Sequence, residues 1–187
     1  IGENNMLPFL TEEDTNITKN INETVIHNLN KLKDVYKLPI GYRGVLYGSY
    51  IKTKNGIFII EFNCRFGDPE CQVLLNLLDC DFYNIILDTI IGNKYNIKWK
   101  DNIYVSNVVL SHNNYPLSKS KQLIEIDIKN MNSNILIYYG NVLRKSNKLY
   151  TTGGRVFSIV NVSSNIFLSF NDILNEIPKI TYNNQYF

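Results

Sequence analysis

The segment from Glu61 to Cys71 (Glu-Phe-Asn-Cys-Arg-Phe-Gly-Asp-Pro-Glu-Cys) constrains this chain more than any other stretch of its sequence. It follows a β-branched, apolar run, which predicts a strand that ends in polar residues. Side chains two positions apart on a strand share a face, so Glu61 and Asn63 project together while Phe62 and Cys64 point to the opposite side, toward a core. A carboxylate and an amide on one strand form half of a site for a hard cation such as Mg2+.

The residues after this strand add a cation and the start of a helix. Arg65 suits a phosphate group, and Asp68 and Pro69 are typical of an N-cap and a first helical position. Metal ligands, a cation and a helix N-terminus within eleven residues favour phosphoryl-transfer chemistry. Purely structural alternatives remain open, because Arg65 can pair with Asp68 or Glu70, and both carboxylates suit a helix start on their own.

The composition is that of an ordinary globular chain. Its 187 residues make one large domain or two small ones, and its net charge of +2, without a basic cluster, predicts no nucleic-acid or membrane partner. No apolar run approaches the roughly 20 residues that span a bilayer, and we expect a cytoplasmic protein with reduced thiols at Cys64, Cys71 and Cys80. With two histidines, a zinc site is not expected. The start at Ile1, within a loop-like stretch, favours a fragment of a longer polypeptide.

Periodicity divides the chain into a mixed first part and a β-rich second part. Thr11 to Tyr36 predicts a capped helix, and Lys54-Asn55-Gly56 lies between two strand-like runs as a hairpin turn. The polar stretch 94–102 is the candidate boundary between domains 1–97 and 98–187. The further predicted elements are a helix that begins at Asp68, a helix 82–91 closed by Gly92, strands 103–111, 121–128, 135–142, 149–152 and 155–162, and a helix 166–177.

A second candidate site is the segment Thr151-Thr152-Gly153-Gly154-Arg155. Paired glycines let backbone amides approach an anion, but the same spacing is equally compatible with a tight hairpin turn. His112 has no nucleophile and carboxylate near it in the sequence, so we expect a solvated loop histidine.

These motifs together resemble the C-terminal part of the phosphoribosylamine–glycine ligase (glycinamide ribonucleotide synthetase) family of ATP-grasp enzymes. The resemblance begins at Gly44-Val45-Leu46-Tyr47 and continues through the segment Glu61 to Val73. It ends with Val108-Val-Leu-Ser111, Tyr115-Pro116 and Thr152-Gly-Gly-Arg-Val156. It implies an α+β chain that holds the C-terminal half of an ATP-grasp domain, followed by a small β-rich domain.

The resemblance also implies a reaction and roles. ATP phosphorylates the carboxylate of glycine, and the amine of 5-phosphoribosylamine attacks the resulting glycyl phosphate. Glu61 and Asn63 would hold Mg2+ or Mn2+, and Arg65 would stabilise the transferring phosphoryl group. The residues expected to bind substrate are Asp68, Glu70, Gly153, Gly154 and Arg155.

The chain also departs from the family pattern. Only Gly2 and Pro8 remain of the family's Gly-Gly-Met-Gly-Ala-Tyr-Ser-Pro loop, both glycines are lost from the segment Ser111 to Leu117, and the family's His-Ala-Gly-Thr reads Tyr138-Tyr-Gly-Asn141. The adenine pocket and the phosphate-binding lysines would lie in upstream domains of the same polypeptide or in a partner chain. The alternatives are a non-catalytic structural or interaction module and an ATP-grasp ligase for another amine.

Overall fold

The computed structural model describes residues 10–117 and 122–187 and shows helices combined with antiparallel sheets, which confirms the predicted α+β class. The chain divides into two compact units. The hairpin unit comprises Ile1–Gly67 and Leu78–Trp99, and the β-rich unit comprises Asp68–Leu77 and Lys100–Phe187. The domains 1–97 and 98–187 remain a prediction.

The order of the elements changes from mixed to mainly β after residue 100. In chain order the elements are α1 (Glu12–Tyr36), β1 (Tyr47–Thr53), β2 (Gly56–Asn63), α2 (Glu70–Leu77), α3 (Phe82–Ile91), β3 (Tyr104–His112), β4 (Ile124–Ile128), β5 (Ile135–Tyr139), β6 (Leu143–Lys145), β7 (Lys148–Thr151), β8 (Arg155–Ser163), α4 (Ile166–Glu176), a 3-10 helix (Ile177–Lys179), β9 (Ile180–Tyr182) and β10 (Gln185–Tyr186).

Local sequence signals account for the elements of the hairpin unit. The Thr11 hydroxyl accepts a hydrogen bond from the Asp14 amide at 3.2 Å, and the Asp14 carboxylate accepts one from the Thr11 amide at 2.7 Å. This reciprocal pair satisfies two N–H groups at the start of α1. Antiparallel β1 and β2 are joined at Lys54 and Asn55, and α3 ends at Gly92, where φ is 87°. The predicted capped helix, the hairpin and the helix 82–91 are therefore confirmed.

The β-rich unit contains two four-stranded sheets, with strand orders β10-β3-β8-β5 and β6-β7-β4-β9. Strand β8 pairs with β3 on one side and β5 on the other, and its residues are buried from Val156 to Asn161. Helix α4 packs on β3 and β8, where the Ser169 hydroxyl donates to the Asn161 carbonyl at 2.8 Å. The core consists of Leu110, Ile126, Ile135, Val156, Phe157, Ile159, Ile173, Ile177, Ile180 and Tyr182.

The structure shifts some predicted boundaries and adds short strands. Helix α2 begins at Glu70, so the prediction that Pro69 is its first residue was wrong. The predicted strands at 103–111, 135–142, 149–152 and 155–162 correspond to β3, β5, β7 and β8, and the predicted last helix corresponds to α4. Of the predicted strand 121–128, residue 121 lies outside the described residues and the strand begins at Ile124. The strands that the sequence did not predict are β6, β9 and β10.

Candidate functional site

Strand β2 brings Glu61 and Asn63 together at its end. They pair across the hairpin with Ser49 and Tyr47 of β1, and the Asn63 side-chain amide donates a hydrogen bond to Glu61 Oε1 at 2.8 Å. The expectation that these two side chains project together is thus confirmed. Glu61 is exposed and Asn63 is half-buried, so both are open to a ligand.

The chemistry of this pair fits a hard cation. Because Asn63 donates through its nitrogen, its amide oxygen and the second carboxylate oxygen of Glu61 remain as two oxygen donors. Magnesium binds through a small number of carboxylate and amide oxygens and keeps room for phosphates. In residues 10–117 and 122–187 no group of three or more His, Cys, Asp or Glu side chains could hold a metal ion. The described chain therefore offers a two-ligand half-site on β2.

The turn after β2 exposes two further residues of the segment. Arg65 donates a hydrogen bond to the Phe66 carbonyl at 2.9 Å through one of its guanidinium nitrogens. Cys64 is exposed, so the prediction that it faces the core was wrong. The reason is that the face opposite Glu61 has little cover in the hairpin unit, where the Phe62 side chain is also 37% exposed. Burial, followed by hydrogen bonding with Cys64, raises the pKa of Tyr42 to about 12.

In the β-rich unit, Asp68 is held by side chains rather than by a helix start. Its Oδ1 accepts a hydrogen bond from the Gln72 amide at 2.9 Å, and its Oδ2 lies 3.2 Å from an Arg155 guanidinium nitrogen. A second Arg155 nitrogen donates to the Asp68 backbone carbonyl. The predicted N-cap role was wrong, because α2 begins at Glu70, two residues after Asp68. Glu70, the first residue of α2, is exposed.

Arg155 lies in a cavity of about 310 Å³ in the β-rich unit. The guanidinium carbon lies 5.9 Å from the centre of the Tyr115 ring, a distance that permits a cation–π contact. Ion pairing with Asp68 and this contact hold the guanidinium in one position. The cavity is lined by Asp68, Tyr115, Pro116, Gly140, Asn141, Gly154 and Arg155.

Three of the residues predicted to bind substrate, Asp68, Gly154 and Arg155, therefore line one cavity. Gly153 lies beside it, with φ of 92°, in the same turn as Gly154, with φ of 78°. Neither Tyr115 nor Asn141 was predicted from the sequence to line a cavity. Asn141 is the last residue of the segment Tyr138-Tyr-Gly-Asn141, which aligns with the family's His-Ala-Gly-Thr. The position of this segment in the family pattern was the signal that could have identified it, although its residue types differ.

His112 is buried, with 3% of its surface exposed, so the prediction of a solvated loop histidine was wrong. It is the last residue of β3, and its backbone amide donates to the Gly154 carbonyl at 3.0 Å. Its side chain packs against Gly153, where an added Cβ would lie 3.1 Å from the His112 Cβ. The histidine thus supports the glycine turn from within the β-rich unit.

The altered loop from Gly2 to Pro8 lies outside the described residues. Within the described ranges, no helix combines the length and the apolar character that crossing a membrane requires.

Comparison with known proteins adds family information to this geometry. A family model, the ATP-grasp (A) domain of phosphoribosylglycinamide synthetase, matches residues 1–71. A phosphoribosylamine–glycine ligase of Methanococcus maripaludis is 34% identical over 168 residues, which are 87% of this chain and 36% of the relative. The trifunctional purine biosynthetic protein adenosine-3 of Bos taurus is 32% identical over 145 residues, 75% of this chain and 14% of that protein.

A solved structure is similar over both units. The crystal structure of phosphoribosylamine–glycine ligase from Thermotoga maritima matches with a TM-score of 0.65 and 27% identity, covering 81% of this chain and 37% of that chain. The chain thus spans well under half the length of each of these relatives.

Proposed function

This chain belongs to the phosphoribosylamine–glycine ligase family, and on that premise we propose that it is part of an ATP-dependent ligase that joins glycine to 5-phosphoribosylamine. In this reaction ATP phosphorylates the glycine carboxylate, giving glycyl phosphate and ADP. The amine then attacks the acyl carbon, the amide bond of glycinamide ribonucleotide forms, and phosphate leaves. The pairing of Glu61 with Asn63 at the end of β2 is the observation that carries the proposal.

In the hairpin unit, we assign Glu61 and Asn63 to a Mg2+ or Mn2+ ion that accompanies ATP. When bound, such an ion neutralises phosphate charge as the γ-phosphoryl group moves. The exposed Arg65 guanidinium has nitrogens beyond the one that bonds Phe66, and these would bind oxygens of the transferring phosphoryl group.

In the β-rich unit, we assign Asp68, Glu70, Gly153, Gly154 and Arg155 to the binding of substrate. Both substrates carry an amine and an anionic group, and the cavity around Arg155 offers a carboxylate and a guanidinium. The Asp68 carboxylate and the Arg155 guanidinium lie 3.2 Å apart, so the cavity presents both signs of charge at one place, which favours ligands that themselves carry both signs.

We further propose that the remaining part of the ATP site comes from upstream residues of the same polypeptide. The 36% coverage of the Methanococcus maripaludis relative supports this, as do the exposed apolar side chains of β2. Phe58 is 51% exposed, Ile59 48% and Ile60 61%, so three consecutive apolar side chains lack cover within the hairpin unit. As a purine-synthesis enzyme with free cysteines, the ligase would act in the cytoplasm.

The proposal is tested by measuring glycinamide ribonucleotide and phosphate formation by the polypeptide that contains this chain, with Mg-ATP. We expect turnover only when both glycine and 5-phosphoribosylamine are present. Glu61→Ala should reduce it by about 100-fold or more, because a lost metal interaction removes several kcal/mol of transition-state stabilisation. Glu23→Ala, an exposed carboxylate on α1, is the matched control and should leave turnover unchanged.

The same assay separates the alternatives. A folded polypeptide without turnover would support a non-catalytic module, and turnover with a different amine would support another ATP-grasp ligase.

A further inference from the structure

The glycine turn between β7 and β8 is fixed by three internal hydrogen bonds. The Gly153 amide donates to the Thr151 hydroxyl at 3.0 Å, and the Gly153 carbonyl accepts from the Asn141 side chain at 2.5 Å. The Gly154 carbonyl accepts from the His112 backbone amide at 3.0 Å. Three of the four backbone polar groups of the two glycines are therefore bonded within the β-rich unit.

The fourth group, the Gly154 amide, differs from the others. It donates no hydrogen bond to a described residue, although Gly154 is buried and lines the cavity beside Arg155. Buried backbone N–H groups without a partner are rare in folded proteins, since leaving one unbonded costs about 1–3 kcal/mol. Such an amide, next to a guanidinium, has the composition of a binding site for an anionic oxygen.

Asn141 holds this turn from a neighbouring segment. Its side-chain amide donates to both the Thr152 hydroxyl at 2.9 Å and the Gly153 carbonyl, and its backbone amide donates to the Arg155 carbonyl at 2.9 Å. The preceding residue has to be small, because an added Cβ at Gly140 would lie 2.6 Å from the Arg155 carbonyl oxygen. The Gly140-Asn141 segment is therefore fitted to the backbone on both sides of Gly154.

We infer that the Gly154 amide and the Arg155 guanidinium bind a carboxylate or phosphate oxygen, and that Asn141 is the positioning residue that holds the amide in place. The identity of the ligand as an amine-bearing anion rests on the proposed function. The Asp68 carboxylate bonds Gln72 and Arg155 rather than the Gly154 amide, so that amide stays open to a ligand oxygen. Glycine would supply a carboxylate oxygen, and a phosphate ester would supply a phosphate oxygen.

The test is a titration of the isotope-labelled chain with glycine and, separately, with inorganic phosphate at constant ionic strength, following backbone amides by NMR. We expect a saturable shift of the Gly154 amide with at least one of them. The Gly92 amide is the internal reference, because it already donates to the Asp88 carbonyl at 2.8 Å. A response to glycine alone identifies a carboxylate site, and a response to phosphate alone identifies a phosphate site. A response to both supports a site for either anion.

Asn141→Ala should weaken the apparent affinity about tenfold, as expected for a lost hydrogen bond, with the thermal midpoint measured alongside to confirm folding. Asn134→Ala, an exposed asparagine, should have no effect on affinity. The inference is overturned if neither anion shifts the Gly154 amide saturably, or if folded Asn141→Ala binds as tightly as wild type. This titration measures binding and needs no turnover, so it is independent of the activity assay. Turnover without anion binding would refute only the proposed anion site at Gly154 and Arg155. Anion binding without turnover would refute only the proposed ligase activity.

Discussion

The two units differ in how they bury apolar surface. In the described part of the chain, every buried hydrophobic side chain belongs to the β-rich unit, where Phe157 is 1% exposed and Ile159 is completely buried. In the hairpin unit the apolar side chains of β2 remain exposed to solvent, and Ile60 is 61% exposed. The hairpin unit has clear local signals for its capped helix and its hairpin, so its open apolar surface is a matter of packing rather than of missing local structure.

This difference bears on where the candidate chemistry lies. The cavity around Arg155 is built by a unit with its own core, which can hold side chains in fixed positions. The proposed metal half-site stands on a two-stranded hairpin that packs against α1, for example through the Tyr50 hydroxyl and Asn22 at 2.7 Å, and hairpins of this size depend on such packing for stability. We therefore expect the stability of the hairpin unit to depend on further residues, and that of the β-rich unit not to.

Truncating one aromatic side chain in each unit gives the largest expected contrast in stability. Phe157→Ala should lower the free energy of unfolding by about 3–5 kcal/mol, because the ring is fully buried and packs edge-on against Tyr139 at 5.3 Å between ring centres. Phe58→Ala, at 51% exposure, should cost less than about 1 kcal/mol. Urea unfolding of each variant measures both values, and equal losses would contradict the contrast.

Amide hydrogen exchange compares the local stability of β8 with that of β2. Amides of β8 should exchange at least about 100-fold more slowly than those of β2, since local opening free energies range from near zero to the global stability. If the proposed longer polypeptide covers the hairpin, exchange in β2 should be slower there and exchange in β8 unchanged. Mass spectrometry of the 187-residue chain and of the longer polypeptide gives both rates. Equally protected strands in the 187-residue chain would show that the hairpin needs no further cover.

The smallest expected effect is an acid-dependent one in the hairpin unit. The Lys52 ammonium lies 2.5 Å from Asp14 and, with the Thr11 amide, lowers the pKa of Asp14 from 3.8 to about 2. Because the folded state favours the carboxylate, this contribution is present above pH 3.8 and is lost as the pH falls toward about 2. Asp14→Asn should therefore be less stable than wild type at pH 7, with the difference vanishing near pH 2.

A matched pair in the β-rich unit tests whether this behaviour is general. Lys179, followed by the Asn132 amide, lowers the pKa of Glu176, so Glu176→Gln should also lose stability at neutral pH and not in acid. Glu23→Gln removes an exposed charge from the helix that holds Asp14 and is the control. Thermal unfolding across pH measures all three, and an acid-independent loss in Asp14→Asn would exclude the ion pair as its cause.

Sequence patterns predicted the elements whose signals are local. Thr11 and Asp14 cap α1 within four residues. The turn between β1 and β2 lies within Lys54-Asn55-Gly56, and Gly92 ends α3. The pairing of Glu61 with Asn63 was predictable for the same reason, because strand geometry alone places them side by side.

Features set by distant contacts were not predictable in this way. The position of Asp68 depends on Arg155, 87 residues further along the chain, and this contact replaced the expected helix cap. The burial of His112 depends on its packing against Gly153. The short strand β10 has only two residues and is defined by its pairing with β3, so it carries no periodicity of its own.

The most direct test of the account is the Mg2+ dependence of turnover by the polypeptide containing this chain, for wild type, Glu61→Gln, Asn63→Ala and the exposed control Glu125→Gln. We expect both β2 variants to require more Mg2+ and to turn over about 100-fold or more slowly, while the control matches wild type. Unchanged Mg2+ dependence and unchanged turnover in the two β2 variants would contradict the metal half-site.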